Sequence, residues 1–291
     1  MARKEYHARE TSTSETLLAH VDQGIRELLG EMAQGKSDRL ARYLEFSARF
    51  HRYSLHNQML IYMQCPAATF VAGYRKWQEM GYQVDKGAKA IRILAPHPYR
   101  VKEEETDEVR EMIFFKSVAV FDASQLAMLD EKPLPLFFTP LADNQQELCE
   151  RLIQMMAEDR IKVSEAHLGL TQGVSGRGRV SVREGMDSTN KVLTLLHEYA
   201  HELLHWTVEG KTQPLKVKEC HAEAVSFVVA NHFGIHNPFS AEYLKHWGNT
   251  PKELLAELDV VRRTAAQMID RLERAGESHD TKAMSAEDKS E

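Results

Sequence analysis

The chain has 291 residues, 43% of them hydrophobic and 27% charged, with a formal net charge of −6. That length suits about two domains, and the charge argues against a uniformly basic nucleic-acid binder while leaving local patches open. Three widely spaced cysteines (Cys65, Cys149 and Cys220) make neither a disulfide framework nor a C-x-x-C metal knuckle. No run approaches the roughly 18 apolar residues of a membrane span, and the charged start, Met1 to His7, lacks the apolar core of a signal peptide. The expectation is a soluble cytoplasmic protein with reduced thiols and no membrane partner.

Residues 15–33 place Leu17, Leu18, Val21, Ile25, Leu28 and Leu29 at helical spacing. Ser37 and Asp38 offer an N-cap for a second helix carrying Leu40, Tyr43, Leu44, Phe46 and Phe50. After Cys65 and Pro66, residues 69–72 predict a short strand and 74–80 a short helix; 90–94 predict a strand ended by Pro96. The mostly acidic stretch 102–111 predicts a solvated hairpin tip or loop, and 114–121 the returning strand. Two prolines, Pro133 and Pro135, mark a stiff linker over 131–137. Beyond it, 143–158 predict a helix and 169–183 a β-hairpin or edge strands. Ser188 and Thr189 cap a helix reaching Trp206. Helices over 215–233 and 251–274 follow, then a polar tail from Gly276 with the composition of disorder. The expected fold is α+β in two domains: an α+β domain over 1–130, and a mostly helical domain with a small sheet over 138–275. The segment 276–291 is the tail.

His197-Glu198-Tyr199-Ala200-His201 is an H-E-x-x-H motif on the helix predicted from 188. Residues four apart share a helix face, so both histidines can bind one zinc, or another divalent metal, through ring nitrogens. Glu198 is placed to take a proton from the water and deliver it to a leaving group, which makes it the candidate catalytic residue. Leu193, Leu195, Leu196, Leu203 and Leu204 bury this helix, and a buried helix does not usually carry two histidines and two glutamates uncompensated. The extension H-E-x-x-H-x-x-G-x-x-H fails, because Leu204 and Thr207 occupy the last two fixed positions. A third ligand must come from elsewhere: His205, Glu219, His221 or Glu223. Glu219 and Glu223 have the E-x-x-x-[DE] spacing of gluzincins, which favours Glu219 as ligand and Glu223 as the group orienting a ligand histidine; the reverse order and His221 stay open. The segment Gly173 to Gly178 lacks the G-K-[ST] of a phosphate loop and reads as a β-turn, or as an edge strand lining a cleft.

Residues 36–100 hold eleven lysines and arginines against four acids, a local excess inside a negatively charged chain. Aromatics interleave with them: Phe50, Tyr53, Tyr62, Phe70, Tyr74, Trp77 and Tyr82. Cations for phosphates beside rings for bases suit a single-stranded nucleic-acid groove, although Phe50 and Trp77 also fit a hydrophobic core. The candidate contacts are Arg49, Arg52, Tyr53, Asn57, Tyr74, Lys76, Trp77, Lys86, Lys89 and Arg92.

Several segments together resemble ArdC-type antirestriction proteins. These are Ser54-Leu55-His56-Asn57 with Leu60-Ile61, residues 68–74 with Trp77, residues 81–91, and Val120-Phe121-Asp122-Ala123-Ser124-Gln125. The later H-E-x-x-H and Glu219-Cys220-His221-Ala222-Glu223-Ala224-Val225 resemble the metallopeptidase-like domain of the same family. Asp85 before Lys86-Gly87-Ala88-Lys89 and the acidic stretch at 102–111 depart from the family pattern. The resemblance implies a single-stranded DNA-binding domain joined to a zincin domain, in a protein of a conjugative plasmid or mobile element that protects incoming DNA from host restriction. It implies His197, His201 and Glu219 as metal ligands and Glu198 as the catalytic acid. Partners would be single-stranded DNA and a protein substrate such as a host restriction enzyme. Two other readings compete: a zinc endopeptidase whose N-terminal domain is an adaptor, and a DNA-coating protein in which zinc is only a staple.

Overall fold

The computed structural model describes residues 2–36, 38–102, 109–127, 145–237, 247–248 and 250–287. In chain order the elements are α1 (Ala2–Ala33), α2 (Asp38–Arg49), α3 (Leu55–Gln64), β1 (Val71–Ala72), α4 (Tyr74–Glu79), β2 (Gln83–Val84), β3 (Ile91–Lys102), β4 (Val109–Asp122) and β5 (Leu126–Ala127). There follow α5 (Gln145–Glu158), β6 (Lys162–Ala166), β7 (Gly173–Ser175), β8 (Arg179–Arg183), α6 (Ser188–His205), α7 (Val208–Lys211), α8 (Leu215–His232) and α9 (Pro251–Glu287). The fold is α+β. Two compact units divide the chain: Met1–Leu28 with Tyr53–Phe137, and Leu29–Arg52 with Phe138–Glu291. Among the described residues no helix is long and apolar enough to cross a membrane.

In the first unit, Leu17, Val21 and Ile25 recur at intervals of four on α1, forming a buried stripe that Leu28 continues. The main sheet has the antiparallel order β1-β4-β3, and β2 pairs with β5 separately. Trp77 is fully buried; its indole N–H donates to Phe121 O at 2.9 Å, and Phe70 and Tyr82 meet its ring edge-on. Asp122, also buried, accepts from the backbone N–H groups of Thr69, Phe70 and Ser124, which ties β1 and the turn before β5 to the end of β4.

Strand β3 runs past Pro96 and Pro98, where the sequence predicts an end. The reason lies in its outer edge. The N–H groups of Arg92 and Leu94 point away from β4 and donate to Gln64 Oε1 and Asn57 Oδ1, both at 2.9 Å. The two amides also donate back to Arg92 O and Leu94 O. Side chains of α3 thus cover the edge as a neighbouring strand would. Positions 96 and 98 share that outward phase, so a proline there removes no bond to β4. The strands leading to the acidic stretch pair up to Lys102 opposite Val109; residues 103–108 and the predicted linker 131–137 lie outside the described residues.

In the second unit α8 is buried on most of its surface and packs against α2, α6 and α9, while α5 packs against α6 and α9. Ala222, Ala224 and Ala230 are fully buried and keep the helices close. A small sheet of order β6-β8-β7 lies along α6, with β6 parallel and β7 antiparallel to β8. β6 is not legible in the sequence because its KVSEA run is half exposed and carries no apolar alternation. The α6 cap is Asp187, one residue ahead of the predicted pair, and accepts from Asn190 N. Helix α9 continues through Gly276 to Glu287, where the sequence predicts a disordered tail. That stretch has no proline, and its Ala, Glu, Lys and Met favour helix; residues 288–291 lie outside the described residues.

Candidate metal centre

Helix α6 buries Val192, Leu195, Leu196, Tyr199 and Ala200 completely, and this fixes which face remains for its histidines. His197 and His201, one turn apart, bring their Nε2 atoms to 3.1 Å. Glu219 reaches them from the first turns of α8: Oε2 lies 3.3 Å from His197 Nε2 and Oε1 3.5 Å from His201 Nε2. A tetrahedral ion with bonds of about 2.0–2.1 Å separates its ligands by about 3.3–3.4 Å. The three side chains therefore converge at about that spacing, with one Glu219 oxygen facing each imidazole, and the donor set of two imidazoles and a carboxylate is one that zinc accepts. Three protein donors leave the fourth position to the cleft.

The charges fit the same reading. Burial opposes an imidazolium at His197, but Glu219, Glu223 and Glu198 outweigh it and raise its pKa to about 9. Hydrogen bonds from His197 and His201 hold Glu219 well below the ordinary carboxylate range. In the ion's absence a proton binds where the donors converge; a divalent cation answers the same demand.

The candidates for a third ligand separate in space. Among the described residues Glu219 is the one that clusters with His197 and His201. Glu223 Oε2 lies 3.6 Å from the other nitrogen of His197, Nδ1. His205 is buried, its Nδ1 2.8 Å from His201 Nδ1, and burial with the neighbouring His201 and His221 pushes its pKa down to about 3. It stands behind a ligand candidate as its orienting partner, where the sequence offers it as a candidate third ligand; its i+4 spacing from His201 is the signal for that place. His221 turns Nε2 to Glu257 instead.

An open cleft of 980 Å³ runs past this cluster, lined by His197, Glu198, Gly173, Val174 and Trp206 among others. Strand β7 forms one wall, as the edge-strand reading of residues 173–178 anticipates. A β-carbon at Gly173 would come within 2.8 Å of Glu198 Oε1, so the strand's close approach needs glycine. Glu202, unremarked in the sequence, accepts from Gly178 N at 2.7 Å and pins the β7–β8 turn to α6. Arg177 in that turn lies over the Trp206 ring at 5.6 Å.

The nucleic-acid candidates fall into three groups. Tyr74, Lys76, Lys86, Lys89 and Arg92 are exposed on the first unit, and Arg75 joins them. Tyr53, Asn57 and Trp77 have structural tasks: Tyr53 donates to Val71 O, Asn57 brackets Leu94, and Trp77 is core. Trp77 is a correction, since a fully buried ring offers no face to a base. Arg49 and Arg52 belong to the second unit, where Arg49 lies over Phe46 and Arg52 pairs with Asp270 and Glu273.

Residues 9–121 match the family model described as the N-terminal domain of anti-restriction factor ArdC. An uncharacterized Bacillus anthracis protein, pXO2-81, is 24% identical over 279 residues. The match covers 79% of this chain and 47% of that protein, so the chain spans about half the length of this curated relative. The metal-free crystal structure of the antirestriction protein ArdC from plasmid R388 has the same fold, with a TM-score of 0.58 at 15% identity over 87% of this chain and 96% of that one. The Mn(II)-bound structure of that protein matches with a TM-score of 0.47 at 15% identity, over 80% and 96% of the two chains. This chain therefore carries, over residues 9–121, the N-terminal domain of anti-restriction factor ArdC, within the fold of the R388 ArdC protein.

Proposed function

We propose that this chain is an antirestriction factor whose first unit binds single-stranded DNA and whose second unit is a zinc metallopeptidase-type centre. The observation that carries the reading is the convergence of His197, His201 and Glu219 beside Glu198, in a chain whose first part matches the ArdC N-terminal domain. A divalent ion held by those three side chains supplies Lewis-acid polarisation and an acidified water at neutral pH.

The chain's own residues do the rest. His197 and His201 would hold the ion through Nε2, the atoms that converge at 3.1 Å. His201 does so as the Nδ1–H tautomer, donating to His205 Nδ1, and Glu223 holds Nδ1 of His197 in the same way. The Glu198 carboxylate, lining the cleft, takes the proton of the attacking water and hands it to the leaving amine. A substrate backbone would lie between β7 and α6. On the first unit Arg75, Lys76, Lys86, Lys89 and Arg92 supply phosphate contacts, and exposed Tyr74 a ring for stacking.

The test separates the two activities. Glu198→Gln retains metal and single-stranded DNA binding and loses hydrolysis of a peptide substrate. DNA affinity of the whole chain falls steeply with salt, and Lys86→Ala with Lys89→Ala lowers both affinity and salt slope. Absence of DNA binding at low salt overturns the first half of the proposal. Full peptidase activity in Glu198→Gln overturns the second.

A further inference from the structure

The second unit holds another convergence of imidazoles and carboxylates, apart from the cleft. His51 follows α2, His232 ends α8, and Asp270 and Glu273 lie three residues apart on α9. Both histidines are more than nine-tenths buried, at 6% and 7% exposure, and their rings meet edge-to-face at 4.8 Å. Each turns Nδ1 to the same carbonyl, Ala48 O, at 3.3 Å for His51 and 2.9 Å for His232. A carbonyl only accepts, so each Nδ1 carries a proton, and a neutral His51 presents Nε2 as a bare lone pair. Each Nε2 faces a carboxylate. His51 Nε2 is 3.4 Å from Asp270 Oδ1, and His232 Nε2 is 3.0 Å from Glu273 Oε1. His51 Nε2 is buried with no hydrogen-bond partner. A neutral His51 therefore sets a buried lone pair against a carboxylate oxygen, which is unfavourable unless a cation lies between them. A proton there would place an imidazolium against the ring of His232, which is already bonded through both nitrogens. A divalent ion among His51, Asp270 and Glu273 satisfies the lone pair, and a backbone carbonyl on Nδ1 is the usual support for a metal-bound histidine. Donor atoms of His51, Asp270 and Glu273 already lie within 4.8 Å of one another.

We propose that His51, Asp270 and Glu273 form a second divalent-metal site that staples the end of α2 to α9, with His232 bonded to Glu273 beside it. One imidazole with two carboxylates suits Zn2+ or Mn2+. Arg52 is its internal competitor. Its Nε is 3.3 Å from Asp270 Oδ1, the oxygen that His51 also faces, and its terminal nitrogen is 2.8 Å from Glu273 Oε2. The side chain is 69% exposed and can withdraw to solvent when a metal enters. The site is independent of the peptidase reading.

Equilibrium dialysis of the full chain against Zn2+ alone, and separately Mn2+ alone, tests it. The isosteric pair Asp270→Asn with Glu273→Gln is expected to lose about one ion per chain relative to the unaltered protein. Arg52→Met is expected to tighten that same ion about tenfold, because the competing guanidinium is gone. The His197→Ala, His201→Ala double variant is expected to keep it. Equal metal content in the unaltered chain and the Asn/Gln variant overturns the proposal. So does an Arg52→Met chain whose metal affinity is unchanged or weaker, since Arg52 would then be a plain ion-pair partner.

Discussion

Gly173 and Glu198 stand so close that a methyl group on the glycine would lie 2.8 Å from the Glu198 carboxylate and 2.5 Å from Thr194 Cγ2. The wall of the cleft and the proposed proton carrier are thus fitted to each other. Gly173→Ala must push Glu198 aside or lift β7 from α6. Peptide hydrolysis is expected to fall by about tenfold or more with metal content unchanged, because small misplacements of a catalytic group are costly. A variant with unaltered turnover would show that the strand gives way freely.

Asn57 distinguishes a structural from a DNA-contacting role. Its amide makes two hydrogen bonds to Leu94, so Asn57→Ala is expected to destabilise the first unit by about 1–2 kcal/mol in urea unfolding. Lys86→Ala and Lys89→Ala change exposed cations and are expected to leave the urea midpoint in place. Loss of DNA affinity in Asn57→Ala without loss of stability would return that residue to the DNA face.

Protonation links the proposed ligands to pH. His197 has a folded pKa of about 9, above its ordinary 6.5. Its stabilisation of the metal-free protein is full below 6.5 and lost as pH rises through about 9. Glu219 is shifted down from 4.5, so its contribution is present above 4.5 and lost as pH falls below. A bound ion displaces the proton on His197. The stabilisation given by Zn2+ over chelator in thermal melts is therefore expected to widen from pH 6.5 to 9. A gap that stays constant across that window would contradict the coupling.

Behind the H-E-x-x-H, Tyr199 is locked into a charged network. Its hydroxyl bonds Asp159, and Arg271 donates to both Asp159 and Tyr199 at 2.8 Å and to Met155 O at 3.1 Å. Burial works to raise the Asp159 pKa, yet Arg271 and Tyr199 outweigh it and hold the carboxyl below its ordinary value. Arg271→Met is expected to cost about 2–3 kcal/mol, measured by denaturant midpoint, since it strands a partly buried carboxylate. A loss under 0.5 kcal/mol would mean that water replaces the guanidinium fully.

Much of the site is legible in the sequence. The helical period of 188–205 and the four-residue spacing of His197 and His201 placed two donors on one face, and spacing again favoured Glu219. The distant partners were not legible. Nothing local to Glu202 shows that it holds Gly178, and nothing in His51 shows that it meets Asp270, because those contacts join residues far apart in the chain. Interleaved aromatics and cations could not separate Trp77, which is core, from Tyr74, which is exposed: both sit on α4, and only the packing of its two faces tells them apart. Proline misled at Pro96 because its effect depends on whether the missing N–H faces a neighbouring strand, which pairing alone decides.

The most direct test of the central claim is a crystal structure of the zinc-loaded protein with anomalous data on both sides of the metal edge. The account expects an anomalous peak about 2.0–2.2 Å from His197 Nε2, His201 Nε2 and a Glu219 oxygen, with Glu198 beside it and outside the ligand set. A zinc-loaded crystal with no peak among those three side chains, or with Glu198 itself bound to the ion, would contradict it.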